Sequence, residues 1–293
     1  MTALRPLTVC IDDFGLHAGV NAAVCTLVQQ GRVTAVSALV DGLAWAEGVP
    51  ALQAAAGQGA ARRADVGLHL NLSETLAHSA AQGSTWVARS VGQLIAASYR
   101  RQLSVPALQH EIERQWQVFV RDWGRTPDFV DGHQHVHQLP QVREALMAVL
   151  DRHAAALPAH FWLRDCGTSV RRQLGAGVPV AHALKAGVIS VLGSSALRRL
   201  AARRGWPVSA GLLGSYPFNV DEAGYLALWR AWLALVPPHG GLLMCHPAVQ
   251  PDARVADAIA AARQVECAAL QGDALGQALQ RSGVVVRRMG LGA

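Results

Sequence analysis

The chain has 293 residues, of which 51% are hydrophobic and 16% charged. That balance excludes a mainly disordered or acidic-tail protein and is ample for a sizeable core. The net charge of +6 rests almost wholly on arginine, since Lys185 is the only lysine, and the Arg pairs are scattered without interleaved aromatics, which argues against a nucleic-acid partner.

Taken in order, Leu7 to Ile11 is a β-branched-rich strand that stops abruptly at Asp12-Asp13-Phe14-Gly15, and Val20 to Gln30 is an amphipathic helix closed by Gly31. Val33 to Val40 predicts a second strand, followed by an Ala-rich helix to about Ala56. Asp65 to Leu72 predicts a third, ending near His69 and Asn71. Ser73 to Val105 has no clear period beyond a short helix around Val91 to Arg101. Ala107 to Trp123 is helical by spacing and broken at Thr126-Pro127. Phe129 to Asp131 is a strand running into Gly132-His133-Gln134-His135-Val136-His137, with a helix after Pro140. Phe161 to Arg164, Gly241 to Cys245 and Val284 to Arg287 read as further strands.

Strands alternating with helices over this length imply α/β architecture with parallel strands, as a barrel or an open doubly wound sheet. No repeat or low-complexity linker divides the chain, so a single domain over 1–293 is expected, with an Arg-rich excursion at about 173–211. Five cysteines, odd in number and lacking a C-x-x-C spacing, argue against a disulfide framework or a cysteine-rich zinc site and point to a reducing, cytoplasmic setting. The first apolar run meets Asp12 too soon to be the core of a signal peptide, and no stretch has the apolar length of a membrane span.

In a parallel α/β fold the active site lies at the carboxyl ends of the strands. Four polar clusters fall at such ends: Asp12-Asp13, His69 with Asn71, Asp131 with His133, and Cys245-His246-Pro247. Adjacent carboxylates after a buried strand repel each other, a cost that a metal ion or shared proton offsets; a helix cap is the plainer reading, and Gly15 with the distant histidines favours a ligand. His69, alternating onto one face with Asn71, suits either a hydrogen-bonded core position or a ligand. Three histidines at 133, 135 and 137 are hard to explain as packing and favour metal or catalytic work. One carboxylate with two histidines is a common divalent-metal shell, and a second carboxylate beside it can take a proton from water. His246 is a strand-end general-acid candidate or a polar residue at a loop entrance. Arg164 is placed to bind a substrate oxygen or to pair with Asp12, and Cys245 reads as buried and inert.

These residues resemble the YdjC-like carbohydrate deacetylases, also called the ChbG/HpnK family. The resemblance is carried by Asp12-Asp13-Phe14-Gly15 with Gly19-Val20-Asn21, Gly31-Arg32-Val33-Thr34, Val40-Asp41-Gly42, Val66-Gly67-Leu68-His69-Leu70-Asn71-Leu72, Asp131-Gly132-His133-Gln134-His135-Val136-His137 and Met244-Cys245-His246-Pro247. It implies a (β/α)-barrel-like fold, one divalent metal ion, and hydrolysis of an N-acetyl group on an amino sugar. Carried over, Asp13, His69 and His133 would hold the metal, Asp12 would be the base and His246 the acid. Asn71, Asp131, His135, His137 and Arg164 would bind substrate or orient the ligating residues. The family suggests magnesium; two imidazoles favour zinc or manganese. His17 and the Arg-rich stretch depart from the family pattern.

In an ideal strand the Cβ atoms of His133 and His137 would span two repeats of about 6.6 Å, too far for one ion, so only His133 is expected to ligate. The partner is expected to be an N-acetylated sugar, a soluble chito-oligosaccharide in preference to an acetylglucosaminyl hopanoid. A non-catalytic metal or sugar sensor and a phosphoester hydrolase are the competing classes. Trp86, Trp123, Trp162, Trp206 and Trp229 are candidates to stack on sugar, or to fill the core. Val188 to Leu213 is expected to form an amphipathic surface helix with a solvated basic face, peripheral membrane contact being the alternative; a homodimer is compatible with the sequence.

Overall fold

The computed structural model describes residues 4–290. In chain order it comprises β1 (Arg5–Phe14), α1 (Ala18–Gln29), β2 (Ala35–Ala38), α2 (Trp45–Ala56), β3 (Asp65–Leu70), α3 (Val91–Tyr99), α4 (Val105–Trp123), β4 (Phe129–Gly132), a 3-10 segment (His133–Gln138) and α5 (Val142–Arg152). It continues with β5 (Trp162–Leu163), α6 (Val170–Gly175), α7 (Val180–Val191), α8 (Ser194–Ala202), α9 (Glu222–Leu235), β6 (Gly241–Cys245), α10 (Ala260–Gln271), α11 (Asp273–Ser282) and β7 (Val284–Val286).

Every described strand pairing is parallel, in the order β5-β4-β3-β2-β1-β6, and β7 pairs with the first residues of β1. The sheet curls. Between its outer strands β5 and β6, residues 207–213 form a bridge, with Val208 paired to Leu163 and Leu213 to Leu243. The expected parallel α/β fold is thus present as a curled sheet, with an irregular segment joining its two edges. The Arg-rich stretch forms α7 and α8 and part of α6.

Because helices cover the outside, strands buried on both faces read as nearly continuous apolar runs. Alternation then sorts their side chains. Val9, Ile11, Val36, Val66, Leu68, Val130, Leu163 and Leu243 join the large core beneath the helices. Cys10, Ala35, Phe129, Trp162, Leu242 and Met244 form a second, smaller core inside the curl. Phe129 and Trp162 stack there with ring centroids 4.1 Å apart, and a Cβ on Gly67 would come within 2.6 Å of the Phe129 ring, so the stack requires glycine at 67. One side-chain repeat further along the same inward face come Asp12, Ser37, His69, Asp131 and Arg164. The apolar layer is the floor of the polar one.

This placement corrects the stacking role considered for several tryptophans. Trp162 is the floor, its Nε1 donating to Asp65 Oδ2 at 3.2 Å, and Trp123 and Trp229 lie in the outer core. Trp206 packs edge-on against Phe161 beneath Arg204, and Trp86 is half-buried, donating to the Leu72 carbonyl. His17 caps α1, its Nδ1 accepting from the Gly19 N–H at 3.2 Å. All five cysteines are free. Among the described residues no single helix is long and apolar enough to cross a membrane. Trp162→Ala would open a cavity under the site and is expected to cost about 3–5 kcal/mol in denaturant unfolding, in line with large-to-small core replacements.

Candidate active site

Adjacent residues of a regular strand face opposite ways, yet Asp12 and Asp13 both reach the interior of the curl. The register of β1 against β2 slips between Ile11 and Phe14, and Asp13 has φ 67°, a left-handed conformation that aspartate tolerates better than most residues. The bulge gives the two carboxylates separate surroundings. Asp13 Oδ1 lies 3.3 Å from His69 Nε2 and 3.1 Å from His133 Nδ1. Asp12 turns instead to Arg164, whose Nη1 and Nη2 donate to its two oxygens at 2.6 Å each.

Asp131 stands between these groups. Its Oδ1 is 2.7 Å from His69 Nδ1 and accepts from the Ser37 hydroxyl at 2.5 Å, while Oδ2 pairs with Arg164 Nη2 at 2.5 Å. A proton on His69 Nδ1 leaves the lone pair of Nε2 directed at Asp13, the usual arrangement for a ligating histidine backed by a carboxylate.

The strand expected through the histidine run is absent. Residues 133–138 form a 3-10 segment with left-handed φ at Gln134 and His135 (51° and 61°), which sends the three rings apart. His133 meets Asp13, His135 Nδ1 lies 3.6 Å from Cys166 Sγ, and His137 Nε2 donates to the Arg164 carbonyl at 3.0 Å. The spacing argument made on an ideal strand therefore does not apply; the turn itself separates the rings. Burial pushes His137 down to about 4, and burial with Arg164 and His137 nearby pushes His135 well below its usual range, so both are neutral.

His246 follows β6, with Nε2 3.8 Å from Asp12 Oδ2 and Phe218 edge-on at 5.3 Å. Behind it lies Glu266 of α10, a buried carboxyl that accepts from the His246 backbone N–H at 2.5 Å and from the Tyr216 hydroxyl at 2.7 Å, and lies 4.0 Å from His246 Nδ1. Arg263, one turn before it, donates to Asp13 Oδ2 and to Asp257, each at 2.7 Å. Asn71 spends its side chain on a turn, accepting from the Ser73 and Glu74 N–H groups and donating to the Glu74 carbonyl; it acts on the site by presenting Glu74, whose Oε1 lies 3.2 Å from His133 Nε2. Sequence reasoning missed Ser37, Glu74, Arg263 and Glu266. Ser37 was accessible by alternation from Ala35; buried charges on the apolar side of α10 marked Arg263 and Glu266.

The electrostatics ask for a cation beside Asp13. Asp12, Asp13, Glu74, Asp131 and Asp257 face the two guanidiniums of Arg164 and Arg263, an excess of negative charge before the imidazoles are counted. Burial alone would lower the His69 and His133 values, but Asp131 and Asp12 raise His69 to about 10, and Asp13 raises His133 to about 9. Asp13, His69 and His133 each offer a ligand atom within 4.8 Å of the others. A divalent ion in place of the two imidazole protons would offset the charge excess and match the donor set. The neighbouring group of Cys10, Asp12 and Asp131 already has its cation in Arg164.

Fold and site together define a curled parallel α/β protein with a carboxylate–dihistidine centre on its carboxyl rim. The chain belongs to the YdjC-like protein family, whose profile matches residues 6–281. It is 32% identical over 197 residues to a chitooligosaccharide deacetylase of Serratia marcescens, covering 65% of this chain and 72% of that protein. A carbohydrate deacetylase of Mus musculus is 33% identical over 175 residues, 55% of this chain and 53% of that one, so the match spans about half the mouse protein. A solved structure from Enterococcus faecalis V583, assigned provisionally to cellobiose-phosphate cleavage, superposes with TM-score 0.70 at 17% identity over 98% of both chains. A peptidoglycan N-acetylglucosamine deacetylase does so with TM-score 0.50 at 10% identity, over 97% of this chain and 88% of that one. These two likenesses show the fold.

Burial opposes ionisation of Asp12, but Arg164 holds its carboxyl well below the usual carboxylate range. A depressed carboxylate stabilises the fold fully above its unfolded value of about 3.9 and loses that contribution as pH falls. Arg164→Met should therefore cost about 3–5 kcal/mol at pH 7, as for a buried charge stripped of its partner. The deficit, followed by thermal melting, should hold from pH 7 down to about 4 and narrow only below that, as Asp12 takes up its proton. A deficit that does not change with pH would count against the ion pair as its source.

Proposed function

We propose that the protein is a divalent-metal-dependent hydrolase that removes the acetyl group from an N-acetylated amino sugar. The observation that carries this reading is the Asp13–His69–His133 triad set beside a separately held carboxylate, Asp12, and an opposed imidazole, His246. The names of the similar proteins, chitooligosaccharide deacetylase and carbohydrate deacetylase, support the same chemistry.

Asp13 Oδ1, His69 Nε2 and His133 Nδ1 would hold the ion. When bound there it supplies polarisation of the acetyl carbonyl and a more acidic water. Magnesium follows from the family, zinc or manganese from the two imidazoles.

Asp12 is the base. It is ionised at any working pH, and Arg164 grips both oxygens so that the carboxylate cannot rotate away from the water it deprotonates. Burial holds His246 down at about 4, against the pull of Asp12 and Asp13, so the ring is neutral at rest. Its Nε2 faces Asp12 Oδ2 and can take over the proton that Asp12 receives. It then delivers that proton to the nitrogen as the C–N bond breaks, while the water oxygen stays on the acetyl carbon as acetate. A short chito-oligosaccharide is the substrate class this reading takes first. The competing sensor reading has no use for a base held in this way.

Asp12→Asn is expected to lose roughly 10²–10⁴ in acetate release from chitobiose-type substrates, the range for a removed general base, while elemental analysis still finds the ion. Asp13→Asn should lower the ion content itself.

Glu266 sets a second test. Burial pushes its carboxyl up to about 7. Above that pH it ionises 4.0 Å from His246 Nδ1 and favours the imidazolium that donates to the amine. The pH–rate profile should rise through about 7 in the wild type, and Glu266→Gln should remove that rise; an unchanged profile would deny Glu266 a hold on His246.

A further inference from the structure

Helix α7 turns an apolar stripe outward. Val180, Leu184, Val188 and Val191 are 61%, 54%, 58% and 79% exposed. Their spacing of four, four and three residues places them on one helix face. Leu174, near the end of α6, is also exposed. Large contiguous apolar surface of this kind marks a contact site.

The segment that carries the stripe bears charge of one sign. No aspartate or glutamate occurs between Asp165 and Asp221, whereas Arg171, Arg172, Lys185, Arg198, Arg199 and Arg203 all do. Arg171, Arg199 and Arg203 are exposed and form no ion pair among the described residues. At Val191 a groove of about 380 Å³ is lined by Tyr99, Arg143, Ser190, Ser195 and Arg199; Arg143 donates to the Gln138 carbonyl and lies 4.0 Å from Glu144, whereas Arg199 has no ion pair among the described residues and is open to an anionic group.

The stripe lies on the rim of the candidate active site. On the inner side of α7, Lys185 Nζ donates to the Tyr216 carbonyl at 2.5 Å and sits 4.6 Å above the Phe218 ring, which in turn packs on His246. Near its other end Ile189 O accepts from Gln138 Nε2 at 2.8 Å, at the close of the segment that carries His133. The inner side of the helix thus meets Tyr216 and Phe218, beside His246, and Gln138, at the end of the His133 segment.

We propose that the α7 face seats on an anionic phospholipid surface, with the groove at Arg143 and Arg199 receiving a lipid phosphate. Charge favours this occupant over a second copy of the chain. A two-fold contact through the stripe would set its surrounding cations against their own equivalents, whereas an anionic bilayer complements them. The pair α7–α8 has the combined length and composition of a broken span, bent by 43°, but His182, Ala183 and Ala186 of α7 and Leu197 and Ala201 of α8 are buried against the body of the protein. Only one face is free, so the helix lies on the surface and does not cross it.

Binding is read independently of the chemistry at the rim. The full chain is sedimented with vesicles of phosphatidylcholine alone and with vesicles containing phosphatidylglycerol. Binding should appear with the anionic vesicles, weaken with salt, and fall about tenfold or more in both Val180→Ser/Leu184→Ser/Val188→Ser/Val191→Ser and Arg199→Gln/Arg203→Gln. These positions are exposed, so the melting midpoint and acetate release from a soluble substrate should be unchanged. No binding to either vesicle, equal binding to both, or undiminished binding by the apolar variant would overturn the proposal. So would light scattering that shows a dimeric wild type and a monomeric serine variant, which would make the face a self-interface.

Discussion

The site depends on a guanidinium buried where a cation is costly. Arg164 is fully buried and pairs with Asp12 from β1 and Asp131 from β4, while its own backbone follows β5. Stripping such a group of water costs several kcal/mol, which only close and well-directed partners offset. Here the partners are two carboxylates, with the Cys10 sulfur 3.0 Å from Nη2. The consequence passes outward through Asp131. Fixed by Arg164 and Ser37, it orients His69, and His69 in turn faces Asp13. The same guanidinium thereby holds Asp12 and, at one remove, the His69 ring.

A second guanidinium explains how neighbouring aspartates acquire different work. Arg263 grips Asp13 Oδ2 from α10 and leaves Oδ1 toward the histidines, whereas Arg164 grips both oxygens of Asp12. Two carboxylates adjacent in sequence would otherwise compete for one proton or one ion. The bulge at Asp13 separates them in space and the two arginines separate them in charge, a division of roles set by surroundings and not by residue type.

What could be read from the sequence was what repeats locally. Strand–helix alternation, the polar residues at strand ends and the inward face shared by His69 and its neighbours follow from periods of two and 3.6 residues. The bulge could not be read, because it is a mismatch between β1 and β2 that exists only when they pair. The turn in the histidine run is set by close packing: a Cβ on Gly132 would lie 2.9 Å from the His137 backbone nitrogen. Trp162, open from sequence to a sugar-stacking or a core role, is a floor, and nothing local reveals that Gly67 leaves room for Phe129 to stack on it. Arg263 and Glu266 meet partners as much as 250 residues away in sequence; only their burial on α10 betrays them.

The way the sheet is joined at its edges also bears on where specificity resides. Residues 207–213 pair with β5 at one end and with β6 at the other, so the helices between Asp165 and Trp206 are anchored to the rim on both sides. None of Asp12, Asp13, His69, His133 or His246 belongs to that segment; Arg164, which holds Asp12, sits at its threshold. Changes along α6–α8 can therefore alter what approaches the mouth without disturbing the charges inside it, the usual division between a rigid scaffold and the excursions that give it selectivity. The acid-free, arginine-bearing helices fit that division: the buried ion pairs of the candidate site lie in the curl, and the excursion lies outside them.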